Sequence, residues 1–225
     1  MNKIFLFGDS TCQYNDESTF PQVGWGQFFS EYLKDQYQVI NLAKNGRSTR
    51  TFKVERLYEP CQKEISKGDY LFIQFGHNDA KVNSERFTEP YKDYQENLLF
   101  YINIARNSGA TPVLLSSIYR RRFKKFGHHY KLDPNCHGEY PRAMEELAKR
   151  ENVIFLDLTK ASKEYIENMG RIKSKSLFMI SMKGKYDYPD KVFDNTHLVE
   201  KGARAVCELI KKECLKNDTL KVLFK

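Results

Sequence analysis

Five short stretches of the chain are apolar on both of their prospective faces: KIFLF (3–7), QVINL (38–42), YLFIQF (70–75), PVLLS (112–116) and VIFL (153–156). A strand with one wet face alternates apolar and polar residues. Runs this short and this continuous instead suit parallel strands covered by helices above and below. That constraint excludes an antiparallel sandwich with a wet face and leaves few alternatives.

The segments between the runs carry the helical period. GWGQFFSEYLKD (24–35) pairs apolar residues at helical spacing, which predicts a helix of about three turns. TEPYKDYQENLLFYINIARNSG (88–109) has Pro90 in its first turn and Gly109 just past its end, the start and stop signals that a helix needs. GEYPRAMEELAKRE (138–151) reads the same way. So does VEKGARAVCELIKKECLK (199–216), with lysines toward the end where the helix dipole favours cations. Strand–helix alternation from end to end predicts an α/β fold, a parallel sheet of about five strands with helices on both faces. No repeat, linker or low-complexity tract divides the 225 residues, so one domain over 1–225 is expected.

Several function classes drop out on composition. No apolar run approaches the ~20 residues of a membrane span, so no membrane partner is expected. The N-terminus offers one lysine, the stretch IFLFG and no small-residue cleavage site, which reads as cytoplasmic and without a secretory signal. The five cysteines (12, 61, 136, 207 and 214) are odd in number and never spaced C-x-x-C. Reduced thiols fit better than disulfides or a zinc site, with Cys207 and Cys214 on one buried helix face. The adjacent His128 and His129 project differently and no H-E-x-x-H occurs, so no metal is expected. Net charge is +8, with much of the excess in YRRRFKKFGHHYK (119–131). This run reads first as a solvated loop and second as an attractor of anions. No RNA-binding, helix-turn-helix or zinc-finger pattern accompanies it, so nucleic acid is not an expected partner.

The polar residues that punctuate the strands are more informative. The first strand runs into Gly8-Asp9-Ser10, the second into AKNGRSTR with Gly46, and the third into FGHNDAK with Asn78. VFDNTHLVEKG, with Asp194 and His197, precedes the last helix. In open α/β sheets the carboxyl ends of the strands form the binding edge, so these four loops should converge. Together they hold a hydroxyl, an imidazole, a carboxylate and candidate oxyanion donors, the groups that acyl transfer requires. Ser10 sits at a strand-to-helix turn, where its own N–H and the helix N-terminus face developing negative charge. An alcohol needs a base, and an imidazole titrates near enough to neutrality to serve, hence His197. Asp194 can reach the other imidazole nitrogen and fix its tautomer. Gly46 allows a backbone N–H to approach a substrate oxygen, and Asn78 adds an amide donor. The strand-end turn assigns Asp9 to bracing by Asx-type bonds. His77 is assigned to structural bonding and Asp79 to holding the Asn78 loop, while Arg47 and Arg50 read equally as pocket rim or surface.

These blocks resemble the SGNH (GDSL-type) hydrolase superfamily. Within it, FGDST, NGRSTRTF, QFGHND, HGEYPRAMEELA and FDNTHL are similar to the rhamnogalacturonan acetylesterase group, a likeness running from Ile4 to about Cys214. The resemblance implies a three-layer α/β/α fold with strand order 2-1-3-4-5. It implies Ser10 as nucleophile, His197 as base and Asp194 as orienting acid. The oxyanion hole would be the Ser10 N–H, the Gly46 N–H and the Asn78 side chain, with no cofactor. The implied substrate is O-acetylated rhamnogalacturonan, an acidic sugar chain whose galacturonate carboxylates would suit the basic run Arg120–Lys125 with His128 and His129. An α/β-hydrolase is excluded because no G-x-S-x-G occurs. Two alternatives stay open: an SGNH lipase or thioesterase for longer acyl groups, with SLFMISM (176–182) as the candidate apolar groove, and a non-catalytic polyanion-binding module using the arginine run.

Overall fold

The computed structural model describes residues 1–181 and 191–225 of the chain. Along the sequence come β1 (Asn2–Gly8), β2 (Tyr37–Asn41), α1 (Thr49–Val54), α2 (Glu59–Glu64), β3 (Tyr70–Gln74) and α3 (Gln95–Asn107). They are followed by β4 (Thr111–Leu115), a hairpin of β5 (Phe123–Phe126) and β6 (His129–Leu132), α4 (Tyr140–Glu151) and β7 (Ile154–Leu156). Helix α5 (Leu158–Lys173), a second hairpin of β8 (Phe178–Ser181) and β9 (Val192–Leu198), and α6 (Glu200–Cys214) complete the chain.

Five strands form one parallel sheet in the order β2-β1-β3-β4-β7. Counting only these strands, that is the expected 2-1-3-4-5. The two-residue period of a strand sends alternate side chains to opposite faces, and β1 shows it residue by residue. Ile4 and Leu6 join Trp25, Phe29, Phe72 and the apolar faces of α5 and α6. Phe5 and Phe7 join Phe52, Leu98, Tyr101 and Met144 from α1, α3 and α4. The four β1 side chains are fully buried, each contributing roughly 1.5–3 kcal/mol of hydrophobic stabilisation. The layers are therefore α/β/α. Cys207 and Cys214 lie buried on α6, as their seven-residue spacing predicts.

Three expectations need correction. Residues 24–35 do not form a three-turn α-helix but two 3₁₀ turns, Trp25–Gln27 and Phe29–Tyr32. The Trp25 N–H bonds the Thr11 carbonyl at 2.8 Å, which pins the start of the segment against the turn after β1. A Cβ on Gly26 would sit 2.5 Å from the Cys12 carbonyl, so glycine is required by close packing at a position of poor helix propensity. The helix expected to start at Ser10 is a single turn, closed by Cys12 and Gln13 N–H bonds to the Asp9 carbonyl at 3.1 and 3.0 Å. The basic run is not a loop: β5 and β6 pair antiparallel across it, with Gly127 at the turn in a left-handed conformation. Among the described residues no helix is long and apolar enough to cross a membrane.

Candidate active site

β1 delivers the serine. Gly8 closes the strand where a Cβ would press on Cys12 and on the Gln74 carbonyl at 3.0 and 3.1 Å. The chain then turns sharply, and Ser10 is buried to 7% exposure. Asp9 holds the turn from inside: its Oδ1 accepts the Thr11 N–H and hydroxyl, both at 2.9 Å. Its Oδ2 faces His77 Nδ1 at 3.0 Å, while His77 Nε2 donates to the Ile118 carbonyl at 2.8 Å. Because that carbonyl can only accept, Nε2 carries a hydrogen. Burial pushes the Asp9 carboxyl up, but the His77 charge and the hydrogen bonds from His77 and Thr11 outweigh it and hold the group below its ordinary range. Asp9 and His77 thus brace the nucleophile turn as their strand-end positions suggest.

The imidazole comes from the far end of the chain. His197 Nε2 lies 3.0 Å from Ser10 Oγ, and His197 Nδ1 lies 2.6 Å from Asp194 Oδ2. Asp194 Oδ1 accepts the backbone N–H groups of Thr196 and His197 at 2.7 and 3.0 Å. Burial raises the Asp194 carboxyl, but the His197 hydrogen bond and charge and the two N–H groups prevail and hold it down at about 2. An ionised carboxylate at Nδ1 keeps the hydrogen on that nitrogen and leaves the Nε2 lone pair aimed at the hydroxyl. Residues 187 positions apart in sequence are in hydrogen-bond contact.

The oxyanion candidates gather at the neighbouring strand ends. Gly46 adopts φ +77°, a left-handed backbone that glycine takes without strain. Among the described residues the Ser10 and Gly46 N–H groups have no protein acceptor. Asn78 donates one amide hydrogen to the Arg47 carbonyl at 2.9 Å, which leaves the second free and fixes the amide's orientation. Behind them Asp79 Oδ1 takes the Thr49 N–H, the Thr49 hydroxyl and the Thr88 hydroxyl at 3.0, 2.5 and 2.9 Å. The Asn78 loop is thereby tied to the start of α1, just after Gly46. Burial, opposed by those bonds, pushes the Asp79 carboxyl up to about 6. Arg47 and Arg50 take the surface alternative, pairing with Glu55 at 2.7 Å and Asp93 at 2.8 Å.

The sequence profile of the GDSL-like lipase/acylhydrolase family matches residues 4–210. The chain belongs to this family. It is 40% identical over 209 residues to rhamnogalacturonan acetylesterase RhgT of Bacillus subtilis, covering 92% of this chain and 87% of that one. It is also 40% identical over 212 residues to the probable rhamnogalacturonan acetylesterase YesY of the same organism, covering 94% and 91%. Among solved structures, protein YxiM of Bacillus subtilis superposes with a TM-score of 0.79 at 27% identity, over 96% of this chain and 56% of that one. An acetyl-xylooligosaccharide esterase from Geobacillus shares the fold, with a TM-score of 0.65 at 14% identity over 94% and 93%.

Around the GDSL-like site, residues of the basic run take roles that the sequence did not show. Arg121 is buried, and its guanidinium donates to Asn195 Oδ1 at 2.7 Å, Ser174 Oγ at 3.0 Å and the Arg171 carbonyl. Its backbone N–H bonds the Asn195 carbonyl at 2.9 Å. Asn195 follows Asp194 directly, so Arg121 anchors the segment that carries the acid and the imidazole. Arg122 and Lys124 pair with Asp133 at 3.5 and 2.8 Å. Most of the basic run is therefore internally engaged. Within the apolar stretch 176–182, Leu177 is a core residue at 3% exposure, whereas Phe178 and Ile180 line a cavity of about 330 Å³ together with Phe20, Pro21 and Val23; Met182 lies outside the described residues.

Proposed function

We propose that the protein is a serine esterase that removes O-acetyl groups from carbohydrate, with acetylated rhamnogalacturonan oligosaccharide as its substrate. The observation that carries the chemistry is the hydrogen-bonded line Ser10 Oγ to His197 Nε2 to Asp194, at 3.0 and 2.6 Å. In the acylation step Ser10 Oγ attacks the acetyl carbonyl carbon and its proton passes to His197 Nε2. Negative charge builds on the carbonyl oxygen, which the Ser10 and Gly46 N–H groups and the free Asn78 amide hydrogen stabilise. The C–O bond to the sugar breaks and the sugar oxygen leaves with the proton from His197. Water then attacks the acetyl-serine by the same route, releasing acetate and restoring Ser10. Removing one oxyanion donor of this kind typically costs ~100- to 1,000-fold in turnover.

The choice of substrate is supported by two relatives at 40% identity that are named as rhamnogalacturonan acetylesterases, one of them as a probable one. The five cysteines are all unpaired, as a reducing compartment keeps them, which supports action inside the cell on oligosaccharides in place of intact polymer. The test is acetate release from acetylated rhamnogalacturonan oligosaccharides, with acetylated xylan and 4-nitrophenyl esters of increasing acyl length alongside. Faster release from the pectic substrate, with activity falling beyond acetyl, is the expected result. A preference for long acyl esters would replace this reading with the lipase alternative.

A further inference from the structure

Three cations crowd the corner where the Gly46 and Asn78 loops meet, and among the described residues none of them has an acidic partner. Arg86 lies over Gly46: a Cβ built there would be 3.6 Å from Arg86 Nη2 and 3.7 Å from its Cζ and Nη1. The Arg86 guanidinium donates to no protein group among the described residues. Arg120 gives one Nη2 hydrogen to the His77 carbonyl at 2.9 Å, while its Nε is buried and finds no acceptor. Lys81 is joined to the same loop through its backbone N–H and the Asn78 carbonyl at 3.1 Å. Burial, and then the charges of Arg86 and Arg120, push the Lys81 ammonium below its ordinary value. Lys81 thus feels both guanidinium groups.

This arrangement departs from the protein's habit elsewhere. Arg47, Arg50, Arg106, Arg142 and Arg204 each meet a carboxylate of the chain. Clustered like charges and an unsatisfied buried donor both cost stability. A bound anion relieves both, and a guanidinium fork matches the two oxygens of a carboxylate. The location is beside the groups that would hold the scissile carbonyl.

We propose that Arg86 and Arg120, with Lys81, form a carboxylate-binding subsite next to the oxyanion corner, which takes a uronate of the sugar chain adjoining the acetylated residue. This rests on the carbohydrate-esterase reading and adds the acidic neighbour as a specificity determinant. It also relocates the expected acid-binding role. Of the run Arg120–Lys125 only Arg120 contributes, and its main partner comes from the loop after β3.

The test separates binding from turnover. Deacetylated rhamnogalacturonan oligosaccharide and its carboxyl-reduced counterpart are compared as competitive inhibitors of 4-nitrophenyl acetate hydrolysis. The wild-type protein should bind the acidic form about tenfold or more tightly, as charge-assisted hydrogen bonds allow, and added salt should narrow the gap. Arg86→Gln should remove most of the preference and Arg86→Lys should retain part of it. The melting temperature should hold in both variants, because the side chain has no protein partner to lose. Equal inhibition by the two oligosaccharides, or an undiminished preference in Arg86→Gln, overturns the subsite. Acetate release from the acetylated oligosaccharide is scored separately. Its absence refutes the proposed function, whereas release without charge preference refutes the subsite alone.

Discussion

Replacing Asp194 with asparagine keeps the shape of the side chain and changes only which atoms donate. The carboxylate accepts three hydrogens: Oδ2 takes the His197 Nδ1 hydrogen, and Oδ1 takes the N–H groups of Thr196 and His197. An amide has one oxygen to offer. If that oxygen stays with the two backbone N–H groups, the NH₂ faces Nδ1 and must donate to it. The ring hydrogen then moves to Nε2, which at 3.0 Å from Ser10 Oγ can no longer accept the serine proton. If the amide flips, the tautomer survives but two N–H groups face an NH₂. Each unsatisfied donor costs ~1–3 kcal/mol, so with two of them the productive orientation is populated in about one molecule in thirty to one in twenty-five thousand. Asp194 is one-third exposed, and water can soften the penalty, which favours the milder end.

The imidazolium also loses its counter-charge, so we expect kcat on 4-nitrophenyl acetate to fall by roughly 100- to 10,000-fold. The same reasoning fixes an order. Asp194→Ala has no misdirected donor and lets water reach the two N–H groups, so it should be no less active than Asp194→Asn. Nitrogen NMR of the His197 ring gives the direct readout: hydrogen on Nδ1 in the wild type, on Nε2 in the asparagine variant. An asparagine variant within about tenfold of wild type, or one that keeps the Nδ1 hydrogen, would refute the tautomer argument.

Ser10→Ala should lower esterase turnover by several orders of magnitude without moving the melting temperature, because the Ser10 hydroxyl bonds only His197 among the described residues. Arg121→Met strips donors from Asn195 and Ser174 in a buried setting, so calorimetry should show a loss on the order of 2–4 kcal/mol. Its kcat should drop while the pH profile keeps its shape, because the acid and imidazole are displaced and not re-protonated. Asp79 titrates near 6 when folded against a reference of 3.8. The unfolded chain therefore releases that proton first, and stability falls as pH rises from about 4 to about 6, by on the order of 3 kcal/mol. Asp79→Asn places its NH₂ at the Oδ2 position, which has only the long 3.3 Å contact to the Thr49 N–H. A flattened stability curve over that window is expected, and an unchanged slope would assign it to another group.

The sheet was legible because its strands are dictated by burial on both faces. QVINL at 38–42 and PVLLS at 112–116 fall within one residue of β2 and β4, and VIFL at 153–156 starts one residue before β7. Ser10 and Asn78 were legible for a related reason, because polar residues just after an otherwise apolar strand have little structural cause to be there, whereas Asp194 and His197 lie within the partly exposed strand β9 and were legible only as a carboxylate and an imidazole three residues apart. The segment 24–35 shows the limit. Its period is helical, but its donors and its lack of side-chain volume at Gly26 are committed to the Cys12 turn, a contact that no local pattern announces.

The basic run shows the same limit at the site itself. In sequence it is a block of like charge with one meaning, either solvated or anion-binding. In the fold the three arginines precede β5 in a tight turn, where the Arg122 N–H bonds the Arg120 carbonyl at 2.6 Å, and each side chain meets a different environment. Arg120 turns to the His77 carbonyl beside the oxyanion corner, Arg121 turns inward to Asn195 and Ser174, and Arg122 turns to Asp133. The partners lie 43, 74, 53 and 11 positions away, so what each arginine does depends on segments outside the arginine triplet. The unpaired guanidinium of Arg86 was hidden for the opposite reason, because an isolated arginine in VNSERF carries no pattern at all. Only its place over Gly46, a position held open by the absence of a side chain, sets it apart. A charge count along the chain therefore cannot separate Arg120 from its neighbours or single out Arg86. The ion pairs that Arg47 and Arg50 make with Glu55 and Asp93 are what set the unpaired Arg86 apart beside Gly46.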